Sequence, residues 1–292
     1  MTSPETRRGE VEQREEDLAL LNRISGATRS AFRSSSRERE TRLQELRNDF
    51  REQSPEEQRV LETLLAVPGV IGRERRFAQG RLGGAELLEQ VQWQHAVRDI
   101  LDAKRRNPDF LLGYLRLYYE SGGRYGDPHT VRRVMSGVLG ERAAADLIRS
   151  LGFEPRYTSP EEDIHKGVDL ECMTPERGMW MPVQVKSTLL RQDLANAPPA
   201  PRDVISVFED LTTRREDAEE EKFRHNVVLW KEQRTDIDPL RTRVKPAFLR
   251  IPRFLNGTGK SVHMIDEGTG LVRREPLGVL SQEFEHQLNE AA

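Results

Sequence analysis

Two short runs of alternating residues constrain this chain more than anything else in it. Val168, Leu170 and Cys172 alternate with Asp169 and Glu171, and Val183 and Val185 alternate with Gln184 and Lys186. A period of two predicts a half-buried strand in each case. The segment Thr174-Pro175-Glu176-Arg177-Gly178 between them is rich in turn formers, and a hairpin symmetric about Glu176 and Arg177 sets Asp169 opposite Gln184. Lys186 then falls on the same face. A carboxylate, an amide and an ammonium share a sheet surface that a neighbouring helix is expected to cover with apolar groups.

The helix before the hairpin is marked at both ends. Asp127-Pro128 is a start signal and Gly152 a stop signal, with Val134, Val138, Ala145 and Ile148 forming an apolar stripe between them. Glu141 falls inside that stripe. A carboxylate turned toward a core is costly unless a cation or hydrogen bonds compensate it, so the position asks for a partner such as a metal ion. Gly137 and Gly140 flank it and leave room for a close neighbour.

Glu141 on a helix, then Asp169, then Gln184-x-Lys186 on a hairpin resembles the PD-(D/E)XK nuclease superfamily, over about residues 128–190. Gly140-Glu141-x-Ala-Ala and Leu151-Gly152-Phe153 look like the family's helix and its exit into the first strand. Most members carry an acid where this chain has Gln184, and the Gln-x-Lys form resembles the branch containing Mrr-type restriction enzymes. The resemblance implies an α/β restriction-endonuclease-like fold, a mixed sheet flanked by helices, here with an all-helical N-terminal extension. It also implies a metal-dependent nuclease, with Glu141, Asp169, Gln184 and Lys186 as catalytic residues and DNA as the expected substrate.

The residues allow the same chemistry to be argued directly. Magnesium prefers oxygen ligands, keeps several waters and takes one or two carboxylates, which Asp169 and Glu141 would supply. Gln184 would add its amide oxygen and Val185 its backbone carbonyl. Manganese would serve as a substitute. Such an ion acidifies water, and Lys186 beside it would favour hydroxide and offset charge growing on the phosphorus. Other readings stay open: a solvated Lys186–Asp169 salt bridge, a catalytically inactive nuclease-fold module that binds nucleic acid or protein, and an RNA-cleaving toxin. Glu161, Glu162, Asp163 and His165 read as a charged loop, with Asp163 the nearest thing to an accessory ligand. Glu171 is expected toward the solvated end of the hairpin.

Composition sets outer bounds. The chain has 292 residues, 33% charged, with a net charge of -3, so any surface for a polyanion must be local. Arg241, Arg243, Lys245, Arg250, Arg253 and Lys260 form a segment without acids, interleaved with Phe248 and Phe254, that would track a phosphate backbone or else face outward from ordinary strands and loops. Gly257-Thr258-Gly259-Lys260-Ser261 is no phosphate-binding loop, because Phe254 stands where the first glycine is required, and Asn256-Gly257-Thr258 reads as a turn. Cys172 is the one cysteine, so no internal disulfide forms, and its alternating position makes it a packed thiol. With no apolar stretch of signal or membrane-spanning length, the expectation is a cytoplasmic protein without a membrane partner.

Three segments are expected. Residues 1–53 read as a charged helical arm, partly disordered or paired with another chain, with Leu18, Leu21 and Ile24, then Leu43, Leu46 and Phe50, at helical spacing in a stretch too polar for a compact domain. A partner protein or a second copy of the chain would pair with it. Residues 54–126 read as a helical domain: Ser54-Pro55-Glu56-Glu57 caps a helix to Leu65, Gly84 to Arg105 forms another, and Asn107-Pro108 opens a third up to Gly122. Residues 127–292 read as the nuclease domain. Beyond Lys186 a helix is expected over 203–223, strands at Val227–Trp230 and Ala247–Ile251, a hairpin over 261–274 and a helix over 281–289.

Overall fold

The computed structural model describes residues 4–33, 36–174, 179–190, 214–238, 242–255 and 261–263. The expected features at 195–213, 256–260, 270–274 and 281–289 lie outside these residues. The chain divides into two compact units, Met1–Met135 and Ser136–Ala292.

The first unit is helical throughout: α1 (Pro4–Arg33), α2 (Ser36–Asp49), α3 (Pro55–Leu65), α4 (Val67–Ala78), α5 (Gly84–Ala103), α6 (Pro108–Arg124) and the start of α7 (Pro128–Ser150). The N-terminal segment is not a detached arm. Asp17, Leu20, Leu21, Ile24, Thr28 and Ala31 are all buried on α1, as are Leu43 and Leu46 on α2 and the adjoining Phe50. Spacings of three and four place these residues on one stripe per helix, so the many charged residues of the segment belong to the outer faces alone. Asp17 is held by Lys104 at 2.6 Å and by Asn107 at 3.1 Å, which ties α1 to the end of α5 and the start of α6. Deeper in, the hydroxyls of Thr63, Tyr114 and Tyr118 bond one another and the Trp93 indole donates to the Thr63 carbonyl at 2.8 Å, so each of these buried polar tips has a partner. Helix α4, with Pro68 in its first turn, contributes Val67, Val70 and Ile71 to the core.

Ser54 and Asp127 act as expected. The Ser54 hydroxyl accepts from the N–H of Glu57 at 3.2 Å, and the Glu57 carboxylate accepts from the N–H of Ser54 at 3.1 Å. Asp127 accepts from the N–H of Thr130 at 3.0 Å and from its hydroxyl at 2.7 Å, with Arg75 alongside. The Thr130 hydroxyl, then its N–H and the Arg75 guanidinium, hold Asp127 below the usual carboxylate range despite some desolvation. A depressed folded-state value means stability that is present above the unfolded value of about 3.9 and lost as pH falls through the folded one. Asp127→Ala is therefore expected to cost about 1 kcal/mol in urea unfolding at neutral pH. Asp127→Asn, which keeps an acceptor, should lose less stability than wild type on acidification below about pH 4.

The second unit is mixed α/β. Its described sheet contains β1 (Pro155–Tyr157), β2 (Leu170–Thr174), β3 (Met179–Leu190), β4 (Arg243–Val244), β5 (Ala247–Leu255) and β6 (Ser261–His263). The order is β1-β2-β3-β5-β6, with β4 also on β3; β1-β2, β2-β3 and β5-β6 are antiparallel, whereas β3 runs parallel to β4 and β5. The hairpin has the expected register, Leu170 on Val183 through Thr174 on Met179. Two helices, α8 (Pro160–Lys166) and α9 (Arg214–Lys231), complete the described elements.

Two expectations for this half are corrected. The run Val227–Trp230 is not a strand but the last turn of α9, with Phe223, Val227 and Trp230 buried and Val228 and Leu229 exposed. Spacings of four and three across charged residues identify a helix face, and the short apolar run alone does not. Moreover, α9 rather than α7 covers the sheet face that carries Gln184: Phe223, Val227 and Trp230 pack with Trp180 and Phe248 into one cluster. Leu170, Cys172, Met181, Val183, Ala247 and Leu249 fill the opposite face, where burial and the Glu171 charge push the Cys172 thiol up to about 12 against the pull of Arg149 on α7.

Glu171 is not at a solvated end either. It is buried and accepts from the Trp180 indole at 2.9 Å, from Arg234 at 2.5 Å and from Arg156 at 3.2 Å. The Arg234 guanidinium lies 5.1 Å from the ring centres of both Trp180 and Trp230. Removing one partner of a buried pair strands the other, so Arg234→Ala should cost about 3–5 kcal/mol in denaturant unfolding. Arg156, 65% exposed on the outer side of the same Glu171, should cost under about 1 kcal/mol as Arg156→Ala.

Candidate active site

The ladder between β2 and β3 ends at Leu170 and Val183, and the next residues form a fork. The N–H of Asp169 donates to the Val183 carbonyl at 2.9 Å, while one Asp169 carboxylate oxygen accepts from the N–H of Val185 at 2.5 Å. A side chain thus takes over a main-chain bond where the strands separate. Thr158, just after β1, secures the other side: its N–H donates to the Asp169 carbonyl at 3.3 Å and its hydroxyl to the Val168 carbonyl.

Asp169 is buried, with 7% of its surface exposed. Burial pushes its carboxyl well above the usual carboxylate range, the Asp163 charge pushes further, and the Val185 N–H and the Lys186 charge pull the other way. Asp163 is thus the acidic neighbour that acts on the Asp169 carboxyl. Neighbouring carboxyls favour sharing a proton or a cation.

Asp163 reaches this point on α8, where the run of charges had suggested a loop. Ser159 caps the helix, its hydroxyl accepting from Glu162 N–H at 3.2 Å and its N–H donating to the Glu162 carboxylate at 3.0 Å. Pro160 occupies the first turn, and Gly167 ends the helix in the left-handed conformation, φ 67°, its N–H on the Asp163 carbonyl at 2.8 Å. Ser159-Pro160-x-Glu162 repeats the pattern of Ser54-Pro55-x-Glu57, so the signal for this helix is present in the sequence.

Gln184 lies against Gly167, close enough that a β-carbon there would meet the amide nitrogen at 2.9 Å. Lys186 follows on the same face. Its ion pair is with Glu219 of α9 at 3.9 Å, both side chains 41% exposed, so the alternative of a Lys186–Asp169 bridge is not what forms. Among the described residues no Lys or Arg lies within ion-pair distance of Asp169.

Glu141 stands in a stretch of α7, Val138 to Ala145, that is buried on every side. It and the fully buried Arg142 are both engaged by polar or charged neighbours. The charges that act on Asp169 are those of Asp163 and Lys186. Among the described residues, no three of His, Cys, Asp and Glu gather into a group that would hold a metal. The structure therefore brings together Asp169, Gln184 and Lys186, with Val185 bonded to Asp169 through its N–H, and adds Asp163.

Of the basic series, Arg241 and Lys260 lie outside the described residues. Arg243 pairs with Met179 and Arg250 with Lys186, which puts them seven residues apart along β3, about 23 Å. Arg253 pairs with Leu189 and with His263. Lys245 is half-buried and donates its N–H to the Trp180 carbonyl at 2.9 Å, and Phe248 is a core residue. Arg250 is the member of the series that the register brings beside the candidate site.

Comparison with protein-family profiles, with curated proteins and with solved structures gives no match for this chain. No helix among the described residues is long and apolar enough to cross a membrane.

Gly167 provides a test of the local geometry. Gly152 also has a positive φ, 84°, but has nothing within 4 Å of the position a β-carbon would take. Gly152→Ala should cost only the backbone penalty, about 1 kcal/mol, whereas Gly167→Ala should cost clearly more in the same denaturant unfolding, because it also displaces Gln184.

Proposed function

We propose that the second unit is a divalent-cation-dependent nuclease that hydrolyses phosphodiester bonds, with DNA as its substrate and the PD-(D/E)XK, restriction-endonuclease-like architecture as its fold. The observation that carries this reading is the fork at Asp169: a buried carboxylate with no cationic side chain paired to it among the described residues, beside an amide and a part-exposed ammonium, on a sheet face otherwise filled by Trp180 and Phe248. Glu171 on the same strand makes the contrast, since it is equally buried but fully compensated by Arg234 and the Trp180 indole.

The donor set suits a hard cation. Asp169 offers a carboxylate, Gln184 an amide oxygen and Val185 a carbonyl, and the family resemblance assigns Glu141 as the second acid. Magnesium retains most of its water and needs one or two protein carboxylates, so a site with few protein ligands is the kind it occupies. When bound, it would supply Lewis acidity to the phosphodiester and to a nearby water. The protein's own residues do the rest. The Val185 N–H fixes Asp169, Gly167 fixes the side of Gln184 that faces the protein, and Lys186 holds positive charge where negative charge grows in the transition state. Its weak contact with Glu219 leaves Lys186 able to turn toward a phosphate.

Cleavage of plasmid, single-stranded DNA and RNA by the purified chain, with magnesium, manganese or chelator, tests the proposal. Cleavage of DNA is expected with either metal and none with chelator, and Asp169→Asn and Lys186→Ala should each lower the rate by about 100-fold or more. Cutting of RNA alone would transfer the site to the RNA-cleaving reading. Nucleic-acid binding without any metal-dependent turnover would favour the inactive module and overturn the enzyme.

A further inference from the structure

Lys186 carries its charge at the end of a flexible four-carbon stem, so its use to the site depends on what holds the ammonium in place. We infer that Glu219, carried on α9, is a positioning residue for Lys186, and that its carboxylate keeps the ammonium over the sheet face that carries Asp169 and Gln184. The inference rests on the nuclease reading above and adds to it a residue from outside the motif.

The packing of α9 on the sheet supports it. The Trp230 ring lies 4.9 Å from that of Trp180, and the Phe223 ring 6.1 Å from that of Phe248, centre to centre. Phe248 is the register partner of Gln184, so stepping back along α9 from Trp230 to Phe223 moves forward along β3 from Trp180 to Gln184. One more turn back, four residues and about 6 Å, reaches Glu219, and two more strand residues, about 6.6 Å, reach Lys186. The two steps match, and the Lys186 ammonium and the Glu219 carboxylate lie 3.9 Å apart. Glu219 thus continues the stripe of Phe223, Val227 and Trp230 as an acid where β3 presents a base. Those three residues are buried in the cluster with Trp180 and Phe248, which fixes the helix and hence the place at which the carboxylate is offered. Its neighbour Glu220 is engaged within α9 instead, pairing with Arg224 at 2.9 Å. Both members of the Lys186–Glu219 pair are part-exposed, which keeps the contact weak enough for the ammonium to lean from the carboxylate toward a phosphate without leaving the site.

Steady-state cleavage of plasmid DNA by the full chain with magnesium, resolved into kcat and KM, tests the inference. Glu219→Gln should lower kcat by about tenfold with KM no higher than that of wild type, and Glu219→Ala should behave in the same way. Glu220→Gln, which alters the next acid on the same helix, should leave both constants unchanged. In a Lys186→Ala background, Glu219→Gln should lower kcat no further, because a positioning residue acts only through the group it holds. Urea midpoints equal to that of wild type separate this effect from a loss of folding. Wild-type kcat in both Glu219 variants, or the same loss from Glu219→Gln with and without Lys186, would overturn the role of Glu219 and leave the nuclease reading standing. No metal-dependent cleavage of plasmid, single-stranded DNA or RNA by wild type would overturn both.

Discussion

The bond from the Val185 N–H to the Asp169 carboxylate, at 2.5 Å, is the contact on which the second unit depends. It sits where the β2-β3 ladder stops, and it converts the end of a hairpin into a fork. Without it, Val185 would leave an N–H unpaired at the edge of a core, and Asp169 would be a buried acid with only another acid against it. The same contact holds the carboxylate beside the Gln184–Lys186 stretch of β3. One hydrogen bond thus serves both the sheet and the candidate site.

Asp169 and Glu171 show how one strand face divides between structure and chemistry. Both are buried and both point to the side covered by α9. Glu171 is satisfied by an indole and two guanidiniums, and Arg234 is in turn enclosed by Trp180 and Trp230. That arrangement is complete. Asp169 accepts the Val185 N–H, is raised by burial and by the Asp163 charge, and has no Lys or Arg within ion-pair distance among the described residues. A folded protein retains such a cost where it serves a purpose.

The hairpin was legible from sequence because a period of two and a turn centred on Glu176 and Arg177 leave one register, and the structure has that register. Asp127, Ser54 and Asn107 were legible as helix caps because short polar side chains have few other ways to satisfy the first N–H groups of a helix. Helix α8 was open to the same reading through Ser159 and Glu162 but was obscured by its charge. Val227–Trp230 misled because four apolar residues in a row fit a strand as well as a buried helix turn, and only Phe223, four residues earlier, separates the two. The two N-terminal helices misled through composition: a highly charged segment reads as unable to pack, whereas a narrow stripe is enough when each residue of it is buried. The influence of Asp163 on Asp169 had no sequence signature, since one residue lies on α8 and the other just before β2.

The central claim is that Asp169 and its neighbours hold a divalent cation, and the most direct measurement is anomalous diffraction from crystals soaked in manganese. The account predicts a peak about 2 Å from an Asp169 carboxylate oxygen, with the Gln184 amide oxygen turned toward it. A peak elsewhere, or no peak beside Asp169 at saturating manganese, would contradict it.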